Sequence, residues 1–199
     1  KIVEHEIFDI DEFSRGRYFW RDKKRAAPHN TYTSGKLWRK ADDDYRQFYK
    51  KEPLEGWTFT DYEPCEAGCI ERVSVPFGAS SYTATWVYST STNQFMRFQG
   101  GSRQYDRDQE PIVADTVIVQ YTKVVTIDEI GRKRIDTIGE GKATVFVAGT
   151  RIDGSWKKAS RTDRTRLYDE SGEPIALQPG IIWIEVAALG GKITVESAE

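Results

Sequence analysis

Apolar positions recur with a helical period near residue 40 and with a strand period after residue 70. Between Lys36 and Lys51, one face of a helix would carry Leu37, Ala41, Tyr45 and Phe48, with Tyr49 close to it. Ser34 precedes this run, and a serine hydroxyl in that position accepts a hydrogen bond from a free amide of the first turn. The pattern therefore predicts one amphipathic helix that begins after Ser34.

From Ile70 onward, short alternating or β-branched runs are separated by polar turns such as Gly131-Arg132 and Gly190-Gly191. The predicted strands include 81–89, 94–98, 116–125, 142–147, 180–187 and 192–195. Aromatic residues make up 13% of the chain and are spread along it, which favours a β-rich fold with cross-strand aromatic pairs. We expect a meander of hairpins that curls into a partial barrel or sandwich.

Residues 52–70 differ in composition from both flanks, with two Pro, two Gly and both cysteines of the chain. We place a domain boundary near residue 65, between residues 1–65 and 66–199. Cys65 and Cys69 lack the further cysteines or clustered histidines that a zinc site needs. They are either two thiols in a loop or a local disulfide, which would indicate an oxidising compartment.

Length and charge narrow the class of protein. The 199 residues suffice for one large domain or two small ones, and the net charge of −2 does not favour nucleic-acid binding. Two basic clusters, at residues 15–25 and 151–166, stand out on this mildly acidic chain and are candidates for one anion-binding surface. No run approaches the ~20 apolar residues of a membrane span. Because the chain begins at Lys1 and its single methionine is Met96, we expect a processed or trimmed product.

Motifs for cofactor chemistry are not satisfied. The run 139–144 (GEGKAT) resembles a phosphate-binding loop, but Asp136 stands where such a loop needs Gly, and Ala143 where it needs Ser or Thr. A glycine turn entering a strand is the better interpretation. The acidic run 42–44 is interpreted as the solvated side of the predicted helix rather than as a metal site. We therefore predict no cofactor and no metal.

The stretch 21–34 (RDKKRAAPHNTYTS) contains the most distinctive candidate site. Pro28 restricts Ala27 to an extended conformation, and Asn30 can accept from backbone amides or adopt positive φ, so His29 lies in a defined loop. Arginine, aromatic and hydroxyl groups together suit a glycan or an anionic polymer. The candidate ligand-binding residues are Arg21, Arg25, His29 and Asn30. The alternative is a structural loop, with Phe19 and Trp20 in the core and Arg25 in a surface ion pair.

A second candidate group is Trp156, Lys157 and Arg161, in which an indole beside cations could stack on a ligand ring. The alternative is that Trp156 packs across the sheet and the lysines face water. His5, the other histidine, lies among acids near the chain start and is predicted to be an exposed strand residue.

Several segments carry a resemblance that extends along the chain. They are FWRDKKRAAPHNTYTS at 19–34, WVY at 86–88, FMR at 95–97, ADTVIVQ at 114–120, DTIGEGKA at 136–143, GSWKK at 154–158 and the segment from Pro179-Gly180 through WIE at 183–185. In this order they resemble the YerB family of bacterial lipoproteins of unknown function, with Asp115 where that family has Asn. The resemblance covers nearly all of the sequence.

The resemblance implies an α+β fold in which residues 1–65 are the tail of an α/β first domain and the β-rich second domain follows. It implies a location at the outer face of the cytoplasmic membrane, reached through an N-terminal lipid anchor that this chain lacks. That compartment favours a Cys65–Cys69 disulfide. Because the family has no established reaction, the resemblance assigns no catalytic role to His29.

Three functions follow as hypotheses. The first is a non-catalytic module that binds a cell-wall glycan or anionic polymer. The second is a hydrolase or transferase on that polymer, with His29 as general base and Asp22 or Asp115 as its partner. The third is a protein-interaction module that docks an envelope protein on exposed sheet edges.

Overall fold

The computed structural model describes residues 10–48 and 55–198, and the chain forms two compact units, residues 1–54 and 55–199. The predicted boundary after residue 65 lies eleven residues later in the sequence than this division after residue 54. Residues 57–62 belong with the second unit because they pair with it: the amide of Thr60 donates to the carbonyl of Leu177 (3.0 Å), and the amide of Leu177 donates to Thr58 (2.9 Å). That the first unit is the tail of a larger α/β domain stays a prediction.

The first unit contains the predicted helix, α1 (Gly35–Tyr45), and a short hairpin of β1 (Trp20–Arg21) and β2 (Thr31–Tyr32). Ser34 is confirmed as the N-cap, since its hydroxyl accepts from the amide of Leu37 at 3.3 Å. The α-helix ends earlier than predicted, and a 3-10 turn follows at Arg46–Phe48. The predicted continuation through Tyr49 to Lys51, like the expectation for His5, lies outside the described residues.

The second unit is built almost wholly of strands. In chain order they are β3 (Ile70–Val75), β4 (Ala84–Ser89), β5 (Gln94–Gln99), β6 (Ser102–Arg103), β7 (Val113–Ala114), β8 (Thr116–Thr122), β9 (Val124–Thr126), β10 (Lys133–Ile135), β11 (Gly139–Val147), β12 (Thr150–Lys158), β13 (Arg166–Asp169), β14 (Ile182–Ala188) and β15 (Thr194–Ser197). The α+β class with a β-rich second part is therefore correct.

The strands of the second unit form two larger sheets and a separate ribbon. One sheet has the order β13-β12-β11-β8-β14, the other has the order β15-β3-β4-β5-β6 with β7 also on β5, and β9 pairs only with β10. The meander prediction is wrong at β14, which runs parallel to β8 and pairs Ile184 with Ile118. A parallel neighbour needs a long connection, and here the chain returns to β8 only after β11, β12 and β13.

Two apolar clusters explain why β8 is a continuous β-branched run. Val117 and Val119 face the other large sheet and pack with Trp86, Phe95 and other side chains between the sheets. Ile118 points the opposite way, because successive strand side chains alternate, and enters a second cluster with Val145, Trp156, Leu167 and Leu177. Both faces of this strand are therefore buried, as in central strands of layered folds.

A charged pair lies inside the first of these clusters. Glu185 on β14 accepts a hydrogen bond from the indole of Trp86 at 2.9 Å, and Arg97 on β5 lies 3.8 Å from the same carboxylate oxygen. The Arg97 guanidinium also lies over the Trp183 ring, 4.7 Å from its centroid. These contacts join strands of the two large sheets and give the buried charges partners, which they require.

The cysteine pair is a disulfide between Cys65 and Cys69. Of the two interpretations of these residues, the local disulfide is therefore confirmed. The bonded loop is tied to the turn after β11, because the amide of Cys65 donates to Ala148 (3.1 Å) and that of Ile70 donates to Gly149 (2.8 Å). Gly149 has φ of +72°, and a β-carbon there would lie 2.5 Å from the Tyr88 ring, so glycine is required.

Candidate functional site

The candidate loop of the first unit connects β1 to β2 and is closed by backbone hydrogen bonds. The register places Trp20 opposite Tyr32, and the amide of Asp22 donates to the carbonyl of Asn30 at 2.8 Å. Residues opposite each other in an antiparallel pair share one face. Trp20 and Tyr32 accordingly stack, with ring centroids 6.0 Å apart and planes 26° from parallel.

Asn30 organises this loop and is not available to a ligand. Its side-chain amide donates to the carbonyl of Arg25 (3.2 Å) and, at 3.4 Å, to that of Asp22, while its oxygen accepts from Arg21 (2.9 Å). The residue is buried, and its backbone does not adopt positive φ. The prediction that Asn30 binds ligand is therefore wrong, because every polar atom of its amide group already has a partner within the loop.

The two arginines of the loop differ in how far they are compensated. Arg21 donates to Glu12 at 3.0 Å as well as to Asn30, so its charge is paired. Arg25 donates to the Tyr32 hydroxyl at 2.8 Å, and no carboxylate pairs with it in residues 10–48 and 55–198. Arg25 therefore keeps an uncompensated positive charge at the edge of the aromatic pair.

The surface around Arg25 is open. Trp20 is 43% exposed, and thus not in the core as the alternative interpretation had it. His29 is exposed as well. The expected surface ion pair of Arg25 is also not found in the described residues. The site therefore presents to solvent an indole, a half-buried phenol and a guanidinium that has no carboxylate partner among the described residues, with His29 in the same loop.

The second predicted group belongs to the other unit and is only partly accessible. Trp156 is 1% exposed, and its indole donates to the carbonyl of Tyr121 at 2.8 Å. Its prediction as a ligand-binding residue is wrong, because the ring fills the core beside Gly141, where an added β-carbon would lie 2.7 Å from the indole nitrogen. Lys157 and Arg161 are exposed, and their role in binding stays a prediction.

The catalytic hypothesis finds no assembled pair. The carboxylate of Asp22 accepts from the amide of Lys24 at 2.9 Å. Asp115 lies in the second unit, where it accepts from Gln94 (3.1 Å) and from the backbone amide of Ile181 (2.6 Å). Within the described part of the chain, no hydrogen bond joins His29 to a carboxylate. A general base needs a partner that orients it. The carboxylates of Asp22 and Asp115 instead accept hydrogen bonds from groups near them in their own parts of the fold.

Comparison with known proteins assigns the chain to a family. Residues 73–184 match the family model described as "Protein of unknown function (DUF3048) C-terminal domain". The chain belongs to this family. The matched segment lies within the second unit, so it includes Lys157 and Arg161 but not the loop at 21–30.

A curated sequence and a crystal structure, both of YerB from Bacillus subtilis, extend the match beyond the DUF3048 domain. The chain is 27% identical over 177 residues to "Putative lipoprotein YerB" of Bacillus subtilis (strain 168), which covers 86% of this chain and 51% of that protein. It is also similar to the crystal structure of YerB protein from Bacillus subtilis, with a TM-score of 0.71 and 24% identity over 90% of this chain and 59% of that one. The chain spans about half the length of the curated relative it matches.

Sequence reasoning missed a cavity within the DUF3048 domain and its C-terminal continuation. It has a volume of about 790 Å³, and its walls include Tyr121, Lys142, Thr144, Arg151 and Asp153. Asp153 is held in place, since it accepts from the Thr144 hydroxyl (2.8 Å) and from Arg151 (3.0 Å). Burial raises the pKa of Tyr121. The available signal was the polar residues at alternate positions of β11 and β12, which mark a sheet face left without a partner.

A cluster of tyrosines and arginines stabilises the first unit. Burial, together with the hydrogen bond that Tyr18 donates to Asp44 (2.7 Å), raises the pKa of Tyr18 to about 12. Arg17 lies 3.3 Å from Asp44 and donates to the Tyr45 hydroxyl at 3.2 Å. The acidic run 42–44 is thus ion-paired as well as solvated, since Arg46 contacts its other two aspartates.

Among the described residues, no three His, Cys, Asp or Glu side chains come together as a metal site would require. Within the same residues, no helix has the length and apolar character needed to cross a bilayer.

Proposed function

We propose that this chain is part of an extracytoplasmic cell-envelope protein whose first unit binds a cell-wall glycan or anionic polymer without catalysing a reaction. The observation that carries the proposal is the stacked pair of Trp20 and Tyr32 with the uncompensated Arg25 at its edge. Aromatic faces are electron-rich and pack against the C–H groups of a sugar ring. A guanidinium binds carboxylate or phosphate with strong, directed hydrogen bonds.

The site is better matched to a polymer than to an enclosed small molecule. Small-molecule sites bury most of their ligand in a deep cleft. The Trp20–Tyr32 pair and Arg25 instead lie on an exposed hairpin, and Lys23 and Lys24 add two further exposed cations to the same loop. Such a surface contacts one or two units of a chain and gains affinity from repetition along it.

The location rests on the relative's name and on the cysteine chemistry. The relative in Bacillus subtilis is called a lipoprotein. The Cys65–Cys69 disulfide supports the same placement, because disulfides persist in oxidising compartments and are rare in the cytosol. Anchoring through an N-terminal lipid on the full-length protein completes the proposal.

The test is co-sedimentation of the purified chain with intact cell-wall sacculi at low and high salt. Binding should be present at low salt and weaken as salt rises, because the guanidinium interaction is screened. Trp20→Ala and Arg25→Ala should each reduce the bound fraction by about tenfold, the effect of losing one well-placed contact.

The first unit offers matched controls. Trp38 is an exposed tryptophan and Arg39 an exposed arginine, both on α1 and outside the loop. Trp38→Ala and Arg39→Ala should bind like the parent chain. Equal binding by all four variants would refute the site, and no binding at low salt would refute the polymer and favour an envelope protein as partner.

A further inference from the structure

The β9–β10 ribbon exposes apolar side chains that the described chain does not cover. Its two short strands form a sheet of their own, in which β10 is exposed along its length and β9 is half-buried at Val124 and Val125. Ile127, Ile130 and Ile135 are all exposed, and Ile130 at the tip reaches 83%. Isolated exposed isoleucines are ordinary, but here the register places Ile135 and Ile127 on opposite faces of the ribbon and Ile130 at its tip, so apolar side chains surround its end as on an interaction surface.

The ribbon is held in this form by hydrogen bonds of backbone and polar groups, such as that from the amide of Ile127 to the carbonyl of Arg132 (2.9 Å), and these leave the isoleucine side chains uninvolved. At its base, the amide of Asp136 donates to the carbonyl of Lys123 at 3.0 Å. At its tip, Asp128 accepts from the amide of Arg132 at 3.1 Å, and its carbonyl accepts from Gly131. The turn therefore projects Ile130 outward, although a two-stranded ribbon alone is only marginally stable in water.

A cavity at the base of the ribbon combines apolar walls with cations. It has a volume of about 470 Å³ and is lined in part by Ile135, Ile138, Lys158 and Arg161. Its aspartate, Asp136, is paired with Arg134 at 3.4 Å. Arg161 has no carboxylate partner within the described ranges. The cavity thus offers an uncompensated guanidinium beside two isoleucines.

The charge of this region contrasts with that of the whole chain. Residues 123–138 and 156–164 together contain eight Lys and Arg against four Asp and Glu, whereas the whole chain has 29 against 31. Amphipathic helices that lie in the interface of an anionic membrane combine exposed apolar side chains with flanking cations, and this ribbon shares that composition. A soluble polyanion would use the cations but leave the isoleucines without a partner.

We propose that the β9–β10 ribbon and its basal cavity form a docking surface for a bilayer rich in anionic phospholipid. The phosphate of a lipid headgroup occupies the cavity beside Arg161, and Ile130 at the tip enters the apolar part of the interface. This inference does not depend on the glycan site of the first unit. It adds a second membrane contact to the lipid anchor expected for the full-length protein.

The test is sedimentation of the chain with vesicles of phosphatidylglycerol and phosphatidylcholine, compared with phosphatidylcholine alone. The chain should bind the anionic vesicles and bind the neutral ones at least tenfold more weakly, because a leaflet without net charge does not attract the cations. Ile130→Ser should weaken binding about tenfold through lost apolar burial. Arg161→Glu should do so to a similar extent through charge reversal.

Matched variants separate this surface from general stickiness. Ile181 is an exposed isoleucine and Lys192 an exposed lysine, both of the second unit and outside the ribbon. Ile181→Ser and Lys192→Glu should bind vesicles like the parent chain, as should Trp20→Ala. Circular dichroism of each variant confirms that it is folded.

Three outcomes overturn the proposal. One is that folded chain fails to bind phosphatidylglycerol vesicles, which would favour a protein as occupant. Another is that Ile130→Ser and Arg161→Glu bind like the controls. The third is that millimolar glycerol 1-phosphate displaces the chain from vesicles completely, since that result would assign the cavity to a free phosphate ester and not to a bilayer.

Discussion

Two arginines of this protein lie beside aromatic rings but differ in burial and in pairing. Arg97, in the second unit, contacts Trp183 and the carboxylate of Glu185, and the charged side chains are only 10% and 7% exposed. Arg25, in the first unit, contacts the Tyr32 hydroxyl and is exposed with no carboxylate partner in the described residues. The first arrangement holds two sheets together, whereas the second leaves charge available to a ligand.

The difference teaches that an arginine and a ring in proximity do not identify a binding site. Whether such an arginine is available to a ligand depends on its burial and on whether a carboxylate compensates its charge. A buried charge without a partner is costly, so Arg97 lies beside Glu185, and its burial keeps it from a ligand. An exposed charge stays hydrated, so Arg25 needs no carboxylate partner. The two units also differ in how many of their side chains are buried. In residues 10–48 only Tyr18, Asn30 and Ala41 are buried, whereas the second unit contains two buried apolar clusters.

The largest expected effect is on a tryptophan of the core. Trp156→Ala should lower the free energy of unfolding by about 4 kcal/mol, because it leaves a cavity and an unpaired carbonyl at Tyr121. Trp20→Ala, on the exposed hairpin, should change it by less than about 0.5 kcal/mol. Urea unfolding followed by near-ultraviolet circular dichroism measures both. Equal losses of unfolding free energy in the two variants would show that Trp20 is as important to the fold as the buried Trp156.

The next effect concerns the buried ion pair. Glu185→Ala should cost about 3 kcal/mol, because Arg97 is left buried without its counter-charge and the Trp86 indole without its acceptor. Glu185→Gln keeps the acceptor and should lose less. Glu170→Ala, on an exposed turn, is the control and should be neutral. A fully stable Glu185→Ala chain would show that the pair does not hold the sheets.

The disulfide should contribute less than either core contact. Replacing Cys65 and Cys69 by serine should cost the second unit about 2 kcal/mol, since the bond closes a loop of only about five residues. Urea unfolding of the double variant, beside the parent with and without reductant, measures this. Reductant should destabilise the parent by a similar amount and leave the variant unchanged. A difference between the two routes would point to an effect of the serines themselves.

The smallest effect concerns the helix of the first unit. Ser34→Ala should destabilise α1 by about 1 kcal/mol, because the amide of Leu37 loses its acceptor. Hydrogen exchange of residues 35–45, read by mass spectrometry, should accelerate about fivefold, while β8 and β11 exchange as before. Ser34→Asp retains an acceptor and should restore protection. Unchanged exchange in Ser34→Ala would mean that packing of Ala41 alone maintains the helix.

Local chemistry explains why part of this structure was predictable. The cap at Ser34, the β-branched run of β8 and the disulfide of residues 65–69 depend on neighbours within a few residues. The loop at 21–30 was also singled out correctly as a defined loop. The sequence did not decide whether this loop is exposed, because aromatic residues such as Phe19, Trp20 and Tyr32 occur both in cores and at surfaces.

What the sequence by itself determined is therefore the helix and several of the longer strands, the family and the residue types from which a site can be made. Only the tertiary structure decided that Trp156 lies in the core, that the side-chain amide of Asn30 hydrogen-bonds within its own loop, and that Glu185 lies beside Arg97. The physical reason is that alternation along a strand decides which residues share a face but not what covers that face. That choice is made by strands distant in sequence, such as β14 beside β8.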